Sequence, residues 1–278
     1  MQAIEEEMAH LLGLRPKTVY KHQLGQALII GGNQGMAGAC MLASRACVYS
    51  GAGLTRVLTH PYHVQVLHGY LPEALAHSWD REEVVSDWLT GADTILIGPG
   101  LGRDARAHDL LRQVFDQARP DQTLILDADG LNLWAQDPLK SQAPLVMTPH
   151  EGEWQRLVAG QAKQEPSAWA QAMGVYLVKK GHQTVLYGPD GSVHPNIPGN
   201  PGMATGGMGD CLAGMIIGMM GQTQGVLAGC RLATYLHTNI ANQIFQQDLT
   251  VLPSRLVEAI PSAMKDLTRP LAEGVKSR

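Results

Sequence analysis

Short apolar segments without polar–apolar alternation recur along this chain. Each ends in a glycine-rich or polar loop and gives way to a longer helix-forming stretch. The segments are "QALIIGG" (26–32), "LTRVLTH" (54–60), "ADTILIGPG" (92–100), "QTLILDADG" (122–130) and "PLVMTPHEGEW" (144–154). A strand with one face in water alternates in polarity, whereas a strand covered on both faces stays apolar from end to end. Helix formers with apolar spacing near the helical period fill 37–51, closed by Gly51, and 108–118. Residues 168–191 read as a helix, a strand and a hairpin marked by "PDG". Residues 1–22 read as an N-terminal helix and lead-in, and the chain is mostly helical from Asp210 onward. With no repeat, linker or low-complexity segment, the pattern predicts one α/β domain over 1–278: a central, mostly parallel sheet between two helical layers.

Composition agrees with that architecture. Apolar residues make up 45% and charged residues 17%, enough material to bury a large core and too little charge for disorder. The net charge of -4, with no basic run longer than a pair, gives no electrostatic basis for binding nucleic acid or an anionic membrane. The acidic start "MQAIEEEMAH" is no signal peptide, and the apolar run 211–220 is about half the length of a membrane span. Cys40, Cys47, Cys211 and Cys230 form no Cys-x-x-Cys pair and read as buried thiols of a reducing compartment. A soluble cytoplasmic protein is expected.

In a parallel sheet the loops beyond the strand C-termini are where ligands bind. The unusual residues of this chain sit in those loops: "GGNQGMAG", "GPGLGRD", "DADGLN", "TPHEGE" and "KKGHQT". The glycines of "IIGGNQGMAGA" fit neither the dinucleotide fingerprint nor a phosphate-binding P-loop, so this turn is either structural or a place of close ligand approach. Gly100 and Gly102 would let a ligand lie against bare backbone, or make a tight turn. Asp127 and Asp129 either hold Mg²⁺ through waters or cap the next helix. His150 stands at a strand-to-helix junction as a ligand contact or a local hydrogen-bonding residue, and no His-Glu-x-x-His zinc pattern occurs. Lys180 is placed to face a nucleotide phosphate, or else belongs to a solvated lysine pair.

The strongest signal is "ATGGMGDCLAGM" (204–215). Glycines free the backbone N–H groups of 206–209, and a helix is expected to start at about Asp210. Convergent amides at a helix N-terminus make an anion hole that can hold a phosphoryl group while its charge shifts. A carboxylate beside the hole can take the proton of an attacking hydroxyl. Asp210 would also serve as an N-cap, but a cap alone does not call for three glycines in the four preceding positions.

"TGGMGD" resembles the anion-hole motif of ribokinase-like small-molecule kinases, whose aspartate is the general base. With "IIGGNQGMAGA", "IGPGLGR", "LDADGLNL", "TPHEGE" and "KGHQT" in that order, the chain over about 21–262 resembles the ADP/ATP-dependent NAD(P)H-hydrate dehydratases, the carbohydrate-kinase-like branch of that fold. The resemblance implies a ribokinase-like three-layer α/β/α fold and a hydro-lyase of metabolite repair. Such an enzyme phosphorylates the hydroxyl of hydrated NADH or NADPH and expels phosphate to restore the ring. It implies Asp210 as base and an anion hole of Gly206, Gly207, Met208 and Gly209. Lys180, Gly181, His182, Gln183 and Thr184 would line the adenine nucleotide with Gly209. Ala39, Gly100, Gly102, His150 and Asp210 would contact the substrate. It further implies Mg²⁺ with protein ligands unassigned, ADP rather than ATP as co-substrate, and a homo-oligomer, a tetramer.

Three departures stand out. Met208 replaces the commoner Thr, the first lysine of "KKGHQT" replaces an apolar residue, and no fused N-terminal epimerase domain like that of many bacterial relatives is expected. If both hydrate epimers are to be repaired, a separate epimerase would supply substrate. The alternative is an ordinary kinase of the same fold acting on a sugar or vitamin-precursor alcohol.

Overall fold

The computed structural model describes residues 2–160 and 164–276. The ends of the expected 1–278 domain and residues 161–163 lie outside the described residues. The chain opens with α1 (Gln2–Leu12), β1 (Gln26–Ile30), α2 (Ala37–Tyr49), β2 (Leu54–Thr59), α3 (Pro61–Tyr70), β3 (Ala74–Ser78) and α4 (Glu82–Thr90). It continues through β4 (Thr94–Ile97), α5 (Ala105–Gln117), β5 (Thr123–Leu126), α6 (Ala128–Gln136), β6 (Leu145–Met147), α7 (Glu151–Leu157) and α8 (Pro166–Met173). The last third holds β7 (Tyr176–Lys179), β8 (Val185–Tyr187), β9 (Val193–Pro195), α9 (Met208–Met220), α10 (Val226–Phe245) and α11 (Pro253–Lys276).

The strands form one nine-stranded sheet in the order β3-β2-β1-β4-β5-β6-β7-β8-β9. Pairing is parallel from β3 through β7 and antiparallel from β7 to β9. The turn "PDG" joins β8 to β9. The absence of alternation in the strands has its physical reason in two cores. In β1, Ala27 and Ile29 face a cluster built with α1, α2, α3, α9, α10 and α11, while Leu28 and Ile30 face one built with α4 to α8. Every strand residue from Ala27 to Ile30 is therefore buried. This is the expected ribokinase-like three-layer α/β/α arrangement.

Within α9, Gly214 and Gly218 are packing residues. A Cβ on Gly214 would stand 2.1 Å from the Ala43 carbonyl oxygen, and one on Gly218 would stand 2.7 Å from that of Cys47. These glycines let α9 lie directly against α2. The four cysteines are free and buried, as expected. No helix among the described residues is long and apolar enough to cross a membrane.

The sequence reading missed α3, β3 and α4. The reason lies in β3, an edge strand of sequence ALAHS in which Ala74 and Ala76 are buried and Leu75 is exposed. It carries no continuous apolar run to mark it.

Candidate active site

Because β1 to β7 run parallel, the loops after β1, β4, β5, β6 and β7 share one edge of the sheet. The first two loops are fused backbone to backbone. The Gly32 amide donates to the Pro99 carbonyl (2.9 Å) and the Asn33 amide to that of Gly100 (2.6 Å). A Cβ on Gly31 would stand 2.1 Å from the Pro99 oxygen, so the glycine is a condition of this contact. The Asp129 carboxylate accepts from the Gly102 amide and from Arg103 Nε, both at 3.0 Å, and so holds the third glycine turn. Asp129 lies inside α6 and caps nothing. Asp127 occupies the N-cap position of α6 but makes no side-chain cap bond.

The helix expected at Asp210 begins two residues earlier. Gly207 is the N-cap of α9, with φ of 91°, a left-handed backbone that favours glycine. Asp210 is the third residue of the first turn, and the capping role is thereby corrected. The physical reason is that Gly207 turns the chain without a side-chain acceptor, which leaves the Asp210 carboxylate out of the cap. Helix geometry leaves the first amides of α9 without an intrahelical acceptor, beside the Gly206–Gly207 turn. From beneath, His237 on α10 donates Nε2–H to the Met208 carbonyl (3.2 Å). Burial pushes this imidazole down to about 4, so it is neutral at ordinary pH. The same helix anchors the preceding loop: Asn196 Nδ2 donates to Thr238 Oγ1 (2.8 Å), and Asn242 Nδ2 donates to the Pro198 carbonyl (3.0 Å). Thr238 and Asn242 are one helical turn apart on the face that meets this loop.

A buried charge cluster completes the site. Lys180 Nζ lies 2.7 Å from Asp127 Oδ1 and 3.7 Å from Glu153 Oε2. Burial would lower the Lys180 pKa, but the carboxylates of Asp127, Glu153 and Asp210 outweigh it and hold the pKa above its ordinary value. Lys180 is thus a fixed cation and not one of a solvated pair. Its neighbour Lys179 is neutralised separately by Glu151 at 2.5 Å. Thr148 Oγ1 donates to the same Asp127 oxygen (2.7 Å). Asp210 is pushed up to about 6, first by burial and then by the Asp127 charge, with Lys180 pulling the other way. A carboxylate with that affinity for protons is tuned to act as a base near neutral pH.

Three glycines at this edge have no steric explanation within the chain. A Cβ on Gly38 or Gly206 would meet nothing within 4 Å, and one on Gly209 would meet only Lys180 Nζ at 3.3 Å. None of the three has a positive φ. Gly38 and Gly209 stand in first helical turns, where glycine lowers helix stability relative to alanine, and Gly206 stands in the turn before α9; all three leave bare backbone at this edge.

A family model for NAD(P)H-hydrate dehydratase matches residues 27–262. A relative from Enterococcus faecalis named "ADP-dependent (S)-NAD(P)H-hydrate dehydratase" is 38% identical over 92% of this chain and 90% of its own length. The chain belongs to the NAD(P)H-hydrate dehydratase family. Among solved structures, a ribokinase-like superfamily protein from E. faecalis aligns with a TM-score of 0.91 at 36% identity, covering 97% of this chain and 96% of that one. The Bacillus subtilis ADP/ATP-dependent NAD(P)H-hydrate dehydratase, co-crystallised with ATP/Mg²⁺, aligns with a TM-score of 0.84 at 29% identity, covering 95% and 97%.

Within the dehydratase fold, Asp210, the turn 206–209 and Lys180 converge at one place. Gly181, His182 and Gln183 form an exposed lip beside it, and Thr184 is buried. Ala39 lies in the first turn of α2, next to the open position at Gly38. Gly100 and Gly102 lie across from Asn33 and Met36. His150 is the N-cap of α7: its Nδ1 accepts from the Gly152 amide (3.0 Å), so its proton sits on Nε2, 3.5 Å from Glu153 Oε1. Met208 replaces the commoner Thr without exposing a side chain, for it is 7% exposed and packs in the core. Thr148, Glu153 and His237 were not assigned from sequence, and Asp127 was read as a Mg²⁺ holder or a cap, not as the partner of Lys180. Asp127, Thr148 and Glu153 were visible as members of the right motifs, but nothing local marked their convergence on Lys180.

His237 yields a prediction. His237→Leu is expected to lower kcat by about ten- to a hundredfold, the scale of a small misplacement of a catalytic group. His237→Gln, which keeps a donor, is expected to recover most of it. Steady-state assays of both variants check this, and equal losses in the two would remove the hydrogen bond from the explanation.

Proposed function

We propose that this enzyme repairs (S)-NADH-hydrate and (S)-NADPH-hydrate in a nucleotide-dependent dehydration, with ADP as the preferred co-substrate. The observation that carries the reading is an Asp210 raised to about 6 beside the glycine turn and the Lys180 cation, in a chain whose family match runs over 27–262. The names of the relatives support ADP.

In this reading Asp210 removes the proton of the substrate hydroxyl, and the oxygen attacks the terminal phosphorus of the nucleotide. The P–O bond to the departing nucleotide breaks, so ADP gives AMP. The amides of Gly206, Gly207, Met208 and Gly209, with Lys180, hold the transferring group as its charge moves to the leaving oxygen. Lys180, Gly181, His182, Gln183 and Thr184 line the nucleotide with Gly209. Ala39, Gly100, Gly102 and His150 hold the hydrated ring over Asp210. The phosphate ester then eliminates: the C–O bond breaks, its electron pair leaves with phosphate, and a neighbouring ring carbon loses a proton to restore the double bond. The oxygen of the water that had added leaves in phosphate, and its two hydrogens leave as the hydroxyl proton and the ring-carbon proton.

Among the described residues no cluster of three or more His, Cys, Asp or Glu is arranged to hold a metal directly. Asp127 spends Oδ1 on Thr148 and Lys180, and its Oδ2 accepts no hydrogen bond among the described residues. That donor set fits a hydrated Mg²⁺ ion, which Asp127 and Glu153 would hold through water. The ion would neutralise phosphate charge.

The test is direct. Hydrated NADH mixed with the protein, Mg²⁺ and either ADP or ATP is expected to regain the absorbance of the reduced ring, faster with ADP. No signal with either nucleotide, together with phosphorylation of a simple alcohol, would establish an ordinary kinase instead.

A further inference from the structure

The C-terminal end of β2 carries an aromatic shelf that has no part in the chemistry above. Tyr62, in the first turn of α3, is 69% exposed. Its ring meets His60 edge to face at 4.8 Å, and His60 in turn meets the buried Trp79 edge to face at 6.2 Å. His60 Nδ1 accepts the Tyr62 amide (3.3 Å), which fixes the imidazole as the cap of α3. An exposed aromatic ring braced from behind is a stacking surface, because its face is open while its position is set.

The shelf is tied to the glycine loops. His63 Nε2 is 3.2 Å from the Asn33 carbonyl. Asn33 Nδ2 donates to the Leu101 carbonyl (3.0 Å) and to Asp104 (2.8 Å). Gly35 and Gly38, where a Cβ would meet nothing within 4 Å, follow Asn33 within five residues.

Direction selects the occupant. In the sheet order the nucleotide loop follows β7, Asp127 follows β5, and the shelf follows β2 on the opposite flank. Strands in a sheet lie about 4.8 Å apart, so the end of β2 is about 14 Å from that of β5. A hydrated dinucleotide carries its reacting ring at one end and an adenosine at the other. With the co-substrate on the β7 side, the adenosine half must run across β4 and β1 toward β2.

We propose that Tyr62, braced by His60, stacks the adenine of the hydrated dinucleotide substrate. The inference rests on the functional reading above and deepens it by naming the second base subsite. The experiment compares hydrated NADH with hydrated reduced nicotinamide mononucleotide, which lacks the adenosine. In Tyr62→Ala the KM for hydrated NADH is expected to rise about tenfold, the scale of one lost base stack. The KM for the mononucleotide and the ADP dependence are expected to stay at wild-type values. Tyr62→Phe keeps the ring face and is expected to keep the wild-type KM. A parallel rise for both substrates, no rise for either, or a change in sedimentation mass with no selective KM effect would overturn the subsite. Wild-type enzyme inert toward both hydrates would overturn the functional reading, and the subsite with it.

Discussion

Asp210→Asn is expected to lower turnover by about a thousandfold, within the range for a lost general base, while leaving nucleotide binding intact and making the fold more stable at pH 8. Asparagine matches the shape of aspartate but takes no proton. The stability gain follows from the raised pKa. Folded Asp210 titrates at about 6, above its ordinary 3.8, because ionising it means burying a charge beside Asp127 and Glu153. The folded state binds this proton more tightly than the unfolded chain, so stability falls as pH rises between those two values and the full cost stands above about pH 6. At about 1.4 kcal/mol per pKa unit, that cost is on the order of 3 kcal/mol, and asparagine removes it. Denaturant unfolding at pH 5 and pH 8 measures it, with about half of the variant's gain present at pH 5 and all of it at pH 8. The same titration makes wild-type kcat/KM rise with pH up to about 6 and level off above. Near-normal turnover in the variant would disprove Asp210 as the base.

Lys180→Met is expected to do the opposite to the fold. It leaves Asp127 and Glu153 buried, 1% and 5% exposed, without their shared cation. Breaking such a pair costs about 3–5 kcal/mol, because an uncompensated charge stays inside. Turnover is expected to fall by about a hundredfold or more as the phosphoryl group loses a fixed positive charge. The double variant Lys180→Met/Asp127→Asn separates the two effects. It is expected to recover most of the lost stability, since one carboxylate has gone with the ammonium, and to recover none of the activity. Denaturant midpoints and kcat of the three proteins decide. A double variant as unstable as the single one would show that Lys180 stabilises the fold through contacts other than this ion pair.

Much of the molecule was legible in its residues because the signals were local. An apolar run such as "TILI" has no polar face to turn to water, so it announces a strand covered on both sides, and β4 is buried throughout. The glycine turn before α9 was legible because glycine fills three of the four positions 206–209, and such bare backbone just before a helix is a local signal. Where signals were weak or shared, the reading slipped. The short, alanine-rich β3 left no apolar run to see. Asp210 carries the residue type of a cap and stands near a helix start, yet Gly207 supplies the cap through its left-handed backbone.

The sequence by itself determined the layered architecture and the set of loops that carry chemistry, because both follow from periodicity and from backbone freedom at neighbouring residues. The tertiary structure alone decided the charge state of the site. Asp127 at the start of α6, Glu153 in α7, Lys180 after β7 and Asp210 in α9 come from four separate segments and meet only after the sheet forms. A pKa depends on burial and on charges a few ångströms away, and neither quantity exists until those four segments are brought together.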